Sequence, residues 1–152
     1  MRNTLPMILI RFIVGLVFVT EGVLKFLRPE ELGAGRFAAI GLPYPHLLAP
    51  FVGGVEIVSG AALAFNLFAG EAAMLLLAVI VTALATTKVP ILLGHPFGRF
   101  SLAKLPHYGV LQFLHEARLD LALLFSIVAI AIDSGLRIGR NRRWYQPRDP
   151  HH

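Results

Sequence analysis

The chain of 152 residues has the length of one domain, with 56% hydrophobic residues, 15% charged residues and a mean hydropathy of +0.69. Soluble domains hold roughly 45–50% apolar and about 25% charged residues, so these figures exclude a soluble core and intrinsic disorder and point to an integral membrane protein. The absence of cysteine rules out disulfides, thiol relays and Cys-ligated metal centres, and the net charge of +5 is concentrated in Arg137, Arg140, Arg142, Arg143 and Arg148. Such a cluster after an apolar run suits an anionic lipid surface and not nucleic acid.

About 20 apolar residues cross a ~30 Å hydrocarbon core. Four such spans are predicted, at Leu5–Leu27, His46–Phe68, Glu71–Leu93 and Phe113–Gly135. The expected fold is an all-α, four-helix transmembrane bundle over residues 1–136, followed by a basic cytoplasmic tail at 137–152. The first span has no small-residue cleavage site after it, and Glu21 and Lys25 stand where one would be expected, so it is expected to be retained. RPEELGAGRFAAIGLPYPH then reads as an interfacial loop with one short helix. NLFAGE is short enough to make spans two and three an antiparallel hairpin. Pro90 should kink or end span three. A long, Pro-containing connection, 94–112, leads to span four. Arg2 and the arginines of the tail outweigh the loop cations, which predicts an inner membrane protein with both termini cytoplasmic and both long loops outside.

The informative residues are the charges within the spans, because each costs ~2.5–3.5 kcal/mol at helix centre unless it finds a partner or a polar cavity. Glu21 and Lys25 close span one, Glu56 lies deep in span two, and Lys88 lies near the end of span three. Glu116, Arg118 and Asp120 open span four. All of these fall in the outer half. Arg11 alone falls in the inner half, where it is expected to snorkel to the cytoplasmic face. Arg11, Gly15, Phe18, Gly22 and Lys25 share one helical face, as do Gly53, Glu56 and Gly60. Small residues mark close helix contacts, so Glu56 should point into the bundle. The expectation is an acid-rich cluster of Glu21, Lys25, Glu56, Lys88, Glu116, Arg118 and Asp120. Two readings of it stay open. It could bind something, or it could only join helices, with Lys25, Lys88 and Arg118 serving as interface anchors.

Other signals are weaker. His46, His95, His107 and His115 lack metal-ligand spacing, so no metal is expected. Thr82 and Thr86 are expected to bond backbone carbonyls. Trp144 and Tyr145 read as an interfacial aromatic pair.

The run ATTKVPILLGHPFGRFSLAKLPHYG followed by HEARLDLALL resembles the DoxX family of small four-span bacterial membrane proteins. RFIVGLVFVTEGVLKFL and GGVEIVSGAAL fit the family pattern as well. The chain departs from it after span four, where IDSGLRIGRNRRW replaces a Gly-rich, Trp-containing turn. The resemblance implies a quinone-side or membrane-anchoring component of redox and oxidative-stress enzymes. It carries over Arg11, Glu21, Lys25, Glu56, Lys88, His115, Glu116, Arg118 and Asp120.

The functional expectation is a redox-associated membrane subunit holding a small lipophilic ligand, a quinone or quinol, without a covalent cofactor. If active, it would be a subunit of a quinone-linked oxidoreductase, its electrons coming from a redox partner protein. Glu56, Glu21, Lys25, Lys88, His115, Glu116, Arg118 and Asp120 are the candidate ligand and proton residues. The alternatives are a structural or assembly factor without a ligand and a small-solute transporter acting as a homo-oligomer.

Overall fold

A computed structural model describes residues 4–143, with side chains described as far as Gly135. All regular structure among the described residues is helical. Helix α1 (Leu5–Leu27) is followed by the short α2 (Ala34–Ile40). Next come α3 (Pro45–Ala64), α4 (Ala69–Ala83), a π-helical turn (Leu84–Lys88), α5 (Val89–Leu93) and α6 (Val110–Arg143). Leu5–Leu27, Pro45–Ala64 and the continuous stretch Ala69–Leu93 are long and apolar enough to cross a membrane. α6 is the further long helix of the bundle. Its backbone stays helical to Arg143, through the start of the basic segment, while the aromatic pair and the rest of the tail lie outside the described residues.

The ends of these helices follow from local chemistry. α1 begins with Pro6 in its first turn, where the missing N–H costs nothing, and ends just before Pro29. α2 stops at Gly41, whose φ of +96° closes the turn onto Phe37 and Ala38. The expected short helix is therefore present. α3 starts one residue before the predicted span and ends four residues before its predicted end. There Asn66 and Phe68 both adopt left-handed backbone and turn the chain directly into α4. The expected hairpin is formed.

α1 and α3 make the tightest helix pair. A Cβ at Gly22 would sit 2.6 Å from the Gly53 carbonyl oxygen, and one at Gly60 would sit 2.8 Å from that of Gly15. The two backbones therefore touch along a glycine seam, as the shared faces of small residues predict. α4 packs against α6 and completes the bundle. Its core holds Val14 and Phe18 from α1, Leu63 from α3, Leu76 and Ile80 from α4, and Leu123, Ile127 and Ile130 from α6.

The two long connections cover one end of the bundle and are bonded to each other. The Ser101 N–H donates to the Ile40 carbonyl at 2.9 Å, and its hydroxyl donates to the Ala39 carbonyl at 2.5 Å. Pro90 interrupts the third span as expected, but one turn earlier than a simple kink would. Proline cannot donate to the Thr86 carbonyl, and the preceding turn widens into the π form. Thr82 donates to the Ala78 carbonyl at 2.8 Å, Thr86 to that of Thr82 at 2.9 Å and Thr87 to that of Ala83 at 2.6 Å. The threonine expectation holds, and these bonds steady the wide turn.

Candidate functional site: a polar cavity at the loop end of the bundle

Gly22 sets up the site. Besides the Gly53 carbonyl, the Glu56 Cβ lies 3.1 Å from where a Gly22 Cβ would be, so the bare backbone lets α1 slide directly beside Glu56. One turn further along α1, the Lys25 ammonium meets the Glu56 carboxylate at 2.7 Å. Both side chains are nearly enclosed, at 11% and 5% exposure. A second pair crosses the other wall, with Lys88 at the end of the π turn 3.7 Å from Asp120 on α6. What a charge of such a pair is worth depends on whether its partner keeps another polar neighbour when the charge is neutralised. Left without one, the survivor keeps its desolvation cost, a loss of ~3–5 kcal/mol in a closed interior.

These pairs border a cavity of about 470 Å³. Val17 and Phe18 of α1, Val52 of α3, Val79 and Ile80 of α4, and Leu123 of α6 supply its apolar walls. Glu21, Lys25, Glu56, Lys88 and Asp120 supply charge from four directions, and Arg36 and Phe37 of α2 close the loop end. Apolar walls carrying a few convergent polar groups are the usual make-up of a small-molecule site, and the volume lies in the ~300–1,000 Å³ range of such sites.

Five of the eight candidate residues thus meet at one cavity, and three do not. Glu116 accepts a hydrogen bond from the Gln112 amide at 3.1 Å and lines an adjoining cavity. His115 and Arg118 are exposed, and the Arg118 guanidinium donates to the His115 carbonyl instead of joining the cluster. The expected cluster is corrected accordingly. Arg118 leaves it, Glu116 moves next door, and Arg36 enters from a loop that sequence periodicity had not singled out. Among the described residues, no three His, Asp or Glu side chains gather as a metal site.

Arg11 is also corrected. It does not snorkel: it is 2% exposed and bonded inside the bundle. Its guanidinium donates to the Asp133 carboxylate at 2.7 Å and to the Asn66 side-chain carbonyl. The far end of the bundle therefore holds a second polar cluster, joining α1, the α3–α4 turn and α6. Sequence reading missed Asp133 and Asn66 as partners.

Comparison with known proteins places this geometry in a family. Residues 7–89, more than half of the chain, match the sequence profile of the DoxX family. The chain belongs to the DoxX family. An uncharacterised membrane protein of Mycobacterium tuberculosis is 37% identical over 136 residues, covering 90% of this chain and 79% of that protein. No solved structure matches the chain significantly. The DoxX match contains Arg11, Glu21, Lys25, Glu56 and Lys88, the residues that α1, α3 and the π turn contribute to the two polar ends. Asp120 and Asp133, their partners on α6, lie beyond it.

Proposed function

We propose that this DoxX protein is a redox-associated membrane subunit that holds a small lipophilic molecule, a quinone or quinol, in the loop-end cavity. The observation that carries this reading is the cavity itself: an apolar chamber of about 470 Å³ with the Lys25–Glu56 and Lys88–Asp120 pairs on its border. Reduction of a quinone consumes two electrons and two protons. Glu56 and Glu21 would exchange those protons or accept hydrogen bonds from the quinol hydroxyls. Lys25 and Lys88 would stabilise an anionic form of the ring oxygens. The chain has no cysteine to carry electrons, so they would come from a partner protein. The subunit would sit in the inner membrane with both termini cytoplasmic and the loop end outside.

The test is native mass spectrometry of the protein extracted gently from its own membrane, wild type beside Glu56→Gln. A discrete lipophilic mass on the wild type that is lost from the variant is the expected result. Equal retention in both would overturn the assignment of Glu56. A second reading, a ligand-free assembly factor, is favoured by one observation: each ion pair joins two different helical elements. It predicts a bare wild-type protein and a variant that loses only stability.

A further inference from the structure

The adjoining cavity, about 400 Å³, lies beneath the segment Ser101–Leu105 and is not separate space by its lining. Arg36, Ile40, Thr86, Thr87 and Lys88 border both chambers. The wall between them is therefore one layer of side chains, and it carries two cations, Arg36 and Lys88. The Lys88 ammonium is 3.7 Å from Asp120, on the edge of contact. The Arg36 side chain is exposed and has no ion-pair or hydrogen-bond partner among the described residues. Glu116, the one carboxylate lining the adjoining chamber among the described residues, is held by Gln112 on its own helix.

We propose that the two chambers are one water-filled passage from the loop end of the bundle to the buried Lys25–Glu56 pair. Arg36 and Lys88 form its waist and admit small anionic solutes in preference to cations. A long, flexible arginine without a partner can swing aside without breaking a bond, whereas its charge acts on anything that passes. The carboxylates Glu21, Glu56 and Asp120 line only the inner chamber and Glu116 only the adjoining one, so the charged groups that border both are the two cations. A constriction lined by one sign of charge between low-dielectric walls raises the rate of arrival of the opposite sign by about tenfold or more. The passage goes beyond the quinone reading and does not depend on it. It concerns what reaches the cavity from water, not what occupies it from the bilayer.

The absence of cysteine makes the experiment direct. Single cysteines are introduced at Ala103 (adjoining chamber), Thr87 (waist) and Ala83 (inner chamber), with Phe97→Cys on the exposed loop as reference. In nanodiscs, where both faces are reachable, each is reacted with 2-sulfonatoethyl methanethiosulfonate and with its trimethylammonium counterpart. All three should react. Relative to Phe97→Cys, the anionic reagent should gain about tenfold over the cationic one at Thr87→Cys and Ala83→Cys. Arg36→Gln should remove most of that preference, and Arg36→Lys should keep it. Because Arg36 has no hydrogen-bond or ion-pair partner among the described residues, neither change should disturb folding, which unchanged thermal unfolding would verify. Ala83→Cys reacting with neither charged reagent would show that the chambers do not connect. Equal preference with Arg36 and with Gln at that position would overturn its role. Neither outcome bears on whether a lipophilic mass is retained.

Discussion

The bundle carries buried ion pairs at both ends, and the ends solve the same electrostatic problem differently. At the far end, Arg11 is buried, at 2% exposure, and Asp133 and Asn66 meet its guanidinium. At the loop end, Lys25–Glu56 and Lys88–Asp120 stand around open space. The Arg11 group ties α1, the α3–α4 turn and α6 together and lines neither of the two chambers. A pair facing a cavity keeps a side free for something else. Burial of charge alone does not mark a site; burial next to space does.

The largest effect should come from breaking the packed end. Asp133→Leu leaves the Arg11 charge enclosed, and a loss of ~3 kcal/mol is expected, toward the low end for a buried pair because the Asp133 side chain is 30% exposed. Thermal unfolding in detergent should show it, with ligand retention in the surviving fraction unchanged. Adding Arg11→Met to Asp133→Leu should restore most of that loss, since an apolar replacement of both charges removes the desolvation cost as well. A double variant no better than the single would mean that the clamp is valued for its geometry.

Glu56→Gln at the loop end should cost less, ~1–2 kcal/mol, because Lys25 keeps the polar cavity and a hydrogen-bonding amide beside it. Its distinctive consequence is the lost lipophilic mass. If it destabilised as much as Asp133→Leu with no change in bound mass, the two ends would be alike and the contrast would fail. Glu116→Gln should be the mildest, within ~0.5 kcal/mol. Among the described residues its carboxylate holds only Gln112, one turn away on the same helix.

Much of this was legible in the sequence, for physical reasons. Hydropathy locates α1 to the residue, because a membrane span is set by length and apolar content alone. The glycine faces of α1 and α3 are likewise a matter of periodicity, and they put Glu56 in the bundle. The failures also have causes. Arg118 lies about 200° around the helix from Glu116, so helical geometry already separated it from that face. Arg11 was matched to the nearest membrane face because its partners are distant in sequence, Asn66 in a turn and Asp133 on the last helix. Arg36 sits on a seven-residue helix inside a Gly- and Pro-rich connection, where no period reveals a face. The π turn left no trace beyond Pro90, since its extra residue changes the winding and not the composition.

The glycine seam has a mechanical consequence. Where two helix backbones touch directly, there are no intervening side chains to change rotamer, so α1 and α3 move as a single stiff beam. The opposite wall is made of α4 and α6, and it contains the wide turn at Leu84–Lys88 and the missing hydrogen bond at Pro90. Any swelling of the chamber therefore falls on that compliant side. A guest would be felt first as strain in the turn that carries Lys88, one step from the loops and from whatever docks on them.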